Sequence, residues 1–212
     1  MATTATPGSE AEPVYVTRFT PTERVLHWVH AVSFLALLAT GVALYVPELT
    51  EAFGSRELLR NLHLGIAIAW IVALVAVVVL GDRRALRQTL RDVDVLDEDD
   101  ARWGLLHMNV PQGRFNAGQK RNAAITAAFA VLFVVSGFLL WYGARNNDFS
   151  LASAVLLHDA LTLIAIVLVA GHLYFVLLHP STRHSLRGTT RGTVRADWAQ
   201  KHHAKWSREE RD

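Results

Sequence analysis

Leu151–Leu178, LASAVLLHDALTLIAIVLVAGHLYFVLL, is an apolar run containing one acid, Asp159, and two histidines, His158 and His172. A helix needs about 20 apolar residues to cross a hydrocarbon core about 30 Å thick, so this run is long enough to span a membrane. The two histidines are fourteen positions apart. At roughly 100° and 1.5 Å per residue they share a face to within about 40° and differ in depth by about 21 Å. One helix therefore presents an imidazole near each edge of the membrane.

Three further stretches have the same character: Val25–Val46, Leu62–Leu80 and Asn122–Tyr142. With 51% hydrophobic and 19% charged residues and a mean hydropathy of +0.23, the expected fold is an all-α integral membrane four-helix bundle. A flexible N-terminal segment is expected over residues 1–17, with 1–14 mobile. The membrane domain should cover 18–194 and a basic, aromatic tail 195–212. The long connection from Gly81 to Gln119 should carry short helices or a function of its own. Trp198 and Trp206, among Lys201, Lys205 and Arg208, fit either an interfacial helix or a solvated basic tail.

Charge in the short loops gives the orientation. Arg18 and Arg24 precede the first span, and Arg83, Arg84, Arg87 and Arg91 follow the second. Lys120 and Arg121 precede the third, and Arg183, Arg187, Arg191 and Arg195 follow the fourth. The opposite loops hold Glu48, Glu51 and Glu57 against Arg56 and Arg60, and Arg145 with Asp148. Both termini are thus expected in the cytoplasm. The start of the chain has no basic region followed by a cleavage site, so the first span is expected to act as its own insertion signal. The formal net charge of +2 and pI near 9.2 arise from these membrane-edge arginines, which argues against nucleic acid as a partner. The absence of cysteine excludes disulfides, thiolate-ligated iron–sulfur clusters and covalently attached haem from this chain.

His27 lies near the start of the first span and His63 near the start of the second. In a four-span bundle, depth pairs His63 with His158 on the outer side and His27 with His172 on the inner side. Buried ionisable groups in membranes are costly and point to proton or metal chemistry. Four histidines at two matched depths suit two bis-histidine haems. Two-histidine sites without cysteine or carboxylate are poor zinc cages. His30, one turn from His27, is an alternative inner ligand. Glycines give a second constraint, because a cofactor between helices needs close backbone approach. Gly41 is placed at the level of the outer pair, and Gly65, Gly137 and Gly171 serve either a cofactor or plain helix packing.

An ordered set of motifs resembles the cytochrome b, or gamma, subunit of membrane-bound respiratory formate dehydrogenases. These are Arg18–Phe19, Glu23–Arg24 and His27–Trp28; Asn61–Leu62–His63; Asn116–Ala117–Gly118–Gln119–Lys120; Leu157–His158; His172–Leu173–Tyr174; and Lys201–His202–His203. The wider superfamily includes membrane subunits of nickel–iron hydrogenases and thiosulfate reductases. The resemblance implies two haem b groups held by His63 with His158 and by His27 with His172. It favours His27 over His30, since the motif places the ligand directly before a tryptophan. It also implies a quinone, menaquinone or ubiquinone, near the inner haem at Asn116, Gly118 and Gln119. The implied partners are an iron–sulfur subunit and a molybdenum- or tungsten-dependent catalytic subunit, with membrane lipid around the chain in a bacterial inner membrane. Asn116 and Gln119 are also suited to capping the third span. Asp159 and His30 depart from the family pattern. The rivals are a hydrogenase cytochrome b and, from a different class, a haem-free anchor or proton-relay protein.

Overall fold

The computed structural model describes residues 12–106, 110–146 and 151–209; His107 and Asp148 lie outside them, as does most of the N-terminal segment expected to be mobile. Strand β1 (Tyr15–Thr17) leads into helix α1 (Pro21–Tyr45), a short α2 (Pro47–Ala52) and α3 (Arg56–Leu80). Two helices fill the long connection, α4 (Arg83–Asp94) and α5 (Glu98–Leu106). Helix α6 (Ala117–Asn146) is followed by α7 (Leu151–Leu173), which continues as a π-helical turn over Tyr174–Leu178. The chain closes with a 3₁₀ turn (Arg183–Ser185), α8 (Leu186–Arg191), β2 (Thr193–Arg195), α9 (Ala196–His202) and α10 (Ala204–Glu209).

Four helices are long and apolar enough to cross a membrane: Pro21–Tyr45, Arg56–Leu80, Ala117–Asn146 and Ala152–Leu178. The starts of the first two are set by capping. Thr20 and Glu23 form a reciprocal capping box ahead of Pro21, and Ser55 accepts from the Leu58 amide. Large apolar side chains such as Leu80, Val167 and Leu156 stand outward, 84%, 70% and 71% exposed. A water-soluble bundle would bury these, so the outer surface is built for lipid. Helix α1 packs along α3 and α6 along α7, while contact between the two pairs is sparse. The space between the pairs is where the histidines lie.

β1 and β2 pair antiparallel, Val16 opposite Val194, so the N- and C-terminal segments meet on one side of the bundle. That termini side carries a folded cap. Val194, Ala199 and Trp206 are buried together, with Val16 and Trp198 packed against them. The tail is therefore neither a solvated strand of charge nor a lipid anchor through Trp206, which is 4% exposed. Lys205 pairs with Asp97 and Asp99, tying α10 to the start of α5.

His203, 1% exposed, donates from Nδ1 to the Gly113 carbonyl at 2.7 Å. Burial, with Arg18 nearby, lowers its pKa from 6.5 to about 3. A histidine held below its unfolded value favours the folded state fully above that value, and the contribution is lost as pH falls toward the folded pKa. Acidification from about 6.5 toward 3 should therefore loosen the cap. Trp198 and Trp206 fluorescence should report it. His203→Asn, which keeps an N–H for Gly113 without titrating, should flatten the profile; an unchanged profile would remove His203 as the cause.

Candidate functional site

On the side opposite the termini, α3 and α7 bring the His63 and His158 rings to a centroid separation of 6.4 Å, their planes crossing at 75°. The Thr40 hydroxyl donates to the Ala36 carbonyl at 2.8 Å and lies 2.7 Å from His63 Nδ1. The Ser136 hydroxyl likewise donates to the Leu132 carbonyl at 2.7 Å and lies 2.8 Å from His158 Nδ1. Each hydroxyl has a single proton, spent on its own helix, so each imidazole donates from Nδ1. Among the described residues the Nε2 lone pairs have no partner, the state a metal ligand needs. A metal–nitrogen bond near 2 Å on each side, plus the ring radii, gives about 6 Å between centroids, which matches the observed separation. The donor set fits a haem iron, which the two neutral imidazoles would hold.

Glycine occupies the helix surfaces facing this pair. A Cβ at Gly41 would touch His63 Cε1 at 3.6 Å, and one at Gly137 would touch His158 Cε1 at 3.7 Å. Gly41 thus lies at the depth expected for it. Gly65 and Gly171 have nothing within 4 Å of an added Cβ. Asp159 sits beside His158, whose Nδ1 is engaged by Ser136 rather than by this acid.

Toward the termini side stand His27, near the start of α1, and His172, near the end of α7. The ring of Trp28 stands edge-on to His27 at 5.5 Å and its indole N–H donates to the Thr189 carbonyl at 3.0 Å. His30 instead stacks on Phe34 and contacts Trp70, each at 5.5 Å.

Asn116 and Gln119 open α6 as a reciprocal cap. Asn116 Oδ1 accepts from the Gln119 amide at 2.9 Å, and Gln119 Oε1 accepts from the Asn116 amide at 3.1 Å. The side-chain NH₂ groups of both remain as donors. A Cβ on Gly118 would approach Trp103 at 3.3 Å, so glycine here permits close packing of α5 on α6.

Behind this cap lies a charged network that no local motif announces. Arg18, 3% exposed, donates to the Arg114 carbonyl at 2.7 Å and to Gln119 Oε1 at 3.2 Å. Burial, followed by repulsion from Arg114, lowers its pKa to about 9, so it stays charged at neutral pH. Arg114 pairs with Glu23 at 2.8 Å and Asp92 at 2.7 Å and donates to Thr89 at 2.7 Å. Partners such as Arg18 and Gln119 are 101 positions apart, so only the assembled cap brings them together. The hydroxyls of Thr40 and Ser136 were also not singled out by the sequence; a signal existed in their placement beside Gly41 and Gly137.

The sequence pattern of the family described as prokaryotic cytochrome b561 matches residues 18–192. The chain is 28% identical to the formate dehydrogenase cytochrome b556 subunit of Haemophilus influenzae, over 88% of this chain and 80% of that protein. It is 27% identical to the nitrate-inducible formate dehydrogenase cytochrome b556(Fdn) subunit of Escherichia coli K12, over 95% and 93%. Identity to the cytochrome b556(fdo) subunit of the same strain is 28%, over 92% and 93%.

Proposed function

The chain belongs to the prokaryotic cytochrome b561 family, and on that premise we propose that it is the di-haem cytochrome b subunit of a formate dehydrogenase complex, passing electrons from an iron–sulfur partner across the membrane to a quinone. Membership implies haem b and electron transfer, and the four apolar spans suit a multi-pass protein of the bacterial inner membrane. The observation that carries the finer reading is the His63–His158 pair, with both Nε2 atoms free and the rings set apart by the width of one iron.

Each haem, when bound, supplies one-electron transfer within the membrane. His63 with His158 would hold one haem iron and His27 with His172 the other. Thr40 and Ser136 fix the tautomers and ring planes of the far pair, and Gly41 and Gly137 leave room beside it. The NH₂ groups of Asn116 and Gln119 orient a quinone carbonyl on the termini side, where the capping box holds both side chains in place. With both termini cytoplasmic, as the arginine distribution favours, quinone takes its protons inside while electrons enter from outside. The partners are an iron–sulfur subunit and a molybdenum- or tungsten-dependent catalytic subunit.

Pyridine haemochrome quantification on the detergent-purified chain should return about two haem b per chain for two bis-histidine sites. Formate added to membranes should then reduce them. Absence of haem from a folded preparation would move the chain to an anchor or proton-relay role, and reduction by hydrogen but not formate would move it to a hydrogenase complex.

Two substitutions separate the roles. Asn116→Ser retains a capping oxygen but loses the amide donor. Quinone reduction should fall about tenfold, the worth of one hydrogen bond, while both haem spectra persist; an unchanged rate would remove Asn116 from the quinone site. Thr40→Val with Ser136→Ala should weaken haem retention on the far side about 10- to 100-fold, the usual cost of losing groups that orient ligating histidines. Measured haem loss to apomyoglobin equal to wild type would show that the hydroxyls do not orient the ligands.

A further inference from the structure

We propose that the arginine-lined cleft at the termini side of the fourth span is a binding site for the phosphodiester of an anionic glycerophospholipid. The cleft, about 390 Å³, is lined by Arg183, Arg187, Arg191 and Arg195, with His184, Tyr15 and Trp198 completing its walls. Its volume is in the range of small-molecule sites. Arg195 is neutralised by Asp197, which it grips through Nε at 3.0 Å and Nη2 at 2.6 Å. Arg183, Arg187 and Arg191 have no carboxylate partner among the described residues. Elsewhere in the cap Arg114, Lys120 and Lys205 each have at least one. Three guanidiniums held together without an acid repel one another, and an anion placed among them removes that cost.

The walls are fixed by the protein rather than by the ligand. Arg187 lies over the Tyr15 ring at 4.0 Å and donates to Thr193 at 3.3 Å. The Trp198 indole donates to the Ser181 carbonyl at 3.1 Å. On its other side α8 is clamped to α1, since Trp28 and Arg24 donate to the Thr189 and Thr190 carbonyls. Gly192, at φ 82°, accepts from the Arg18 and Phe19 amides at 2.8 and 3.1 Å and reverses the chain into β2. The cleft is thus a preformed concavity.

Position selects lipid over free phosphate. The cleft begins five residues after Leu178, the end of the fourth span, where Phe175, Leu177 and Leu178 stand 53%, 52% and 68% exposed. A headgroup in the cleft would lay its acyl chains along this apolar surface. Basic pockets at the ends of membrane helices recognise anionic headgroups through the same combination of charge and adjoining apolar wall.

The test is native mass spectrometry of the full haem-loaded chain, delipidated in detergent and titrated with phosphatidylglycerol or with phosphatidylcholine. Phosphatidylglycerol should be retained at one per chain against an excess of phosphatidylcholine. Arg183→Gln/Arg187→Gln/Arg191→Gln should weaken retention about tenfold or more, given the usual contribution of each basic residue at a lipid surface. The matched variant Arg84→Gln/Arg87→Gln/Arg91→Gln, which removes as much charge from α4, should retain the lipid. An unaltered haem spectrum verifies that each variant is folded. Equal retention of the two lipids, or equal loss in the two variants, would overturn the site. Displacement of phosphatidylglycerol by inorganic phosphate would reassign the cleft to free phosphate and overturn the lipid.

Discussion

Replacing His63 or His158 with leucine should halve the haem of the chain, from about two per chain to about one, as expected when one of two axial ligand sets is lost. Both variants should lose the same spectral component, because the two rings face each other 6.4 Å apart across one gap. His27→Leu and His172→Leu should lose the other. Leucine fills much of the ring volume and carries no polar atom, so it leaves only the Thr40 or Ser136 hydroxyl to be satisfied by its own helix, as each already is. A collapse of the bundle is therefore not the expected route to haem loss. The crossing angle gives a second readout. Imidazole planes at 75° would leave the two π-symmetry orbitals of a haem iron held between them nearly degenerate, so the oxidised far-side haem should give a strongly axial low-spin electron paramagnetic resonance signal. Removal of different haems by His63→Leu and His158→Leu would show that the irons are not shared as the rings are arranged. A rhombic signal would show that the planes turn when haem binds.

How much of this was legible in the sequence depends on the range over which each feature acts. The spans are written locally: apolar length alone sets them, and the structure displays Pro21–Tyr45, Arg56–Leu80, Ala117–Asn146 and Ala152–Leu178 as helices. Depth along a straight helix is a linear function of position, so the facing of His63 with His158 could be read from residue numbers. The reciprocal cap of Asn116 and Gln119 was visible too, being a four-residue pattern. The cap on the termini side was not. Its strand pair joins Tyr15–Thr17 to Thr193–Arg195, three residues each, too short for a periodic signal. Trp206 carries the chemistry of a lipid anchor as well as that of a small core, and only the packing of Val194 and Ala199 around it distinguishes them. Thr40 and Ser136 are ordinary polar residues of membrane helices until neighbouring helices place a ring nitrogen within 2.8 Å.

Arg114→Met should be the most damaging change on the termini side. The guanidinium joins three segments: it pairs with Glu23 of α1 and Asp92 of α4, and donates to Thr89 of α4 and, at 3.3 Å, to the Arg18 carbonyl. It also lies 5.0 Å from the Phe115 ring and 5.7 Å from that of Phe19. Methionine preserves much of the packing but leaves the Glu23 carboxylate, 6% exposed, without its cation. Breaking a buried pair from one side costs about 3–5 kcal/mol, mostly for the charge left behind. Thermal unfolding of the detergent-purified chain should shift accordingly, whereas Arg102→Gln, which breaks exposed pairs with Glu98 and Asp99, should lie within about 1 kcal/mol of wild type. Adding Glu23→Gln to Arg114→Met removes the stranded charge and should recover part of the loss; no recovery would assign the effect to packing instead. Arg114→Lys should fall between, since an ammonium cannot serve Glu23, Asp92 and Thr89 in the fixed directions of a guanidinium. Because Arg18 connects the Arg114 carbonyl to Gln119 Oε1, quinone reduction should fall more in Arg114→Met than electron entry into the far haem. Equal loss of the two rates would place the network outside the quinone site and leave it a purely structural clamp.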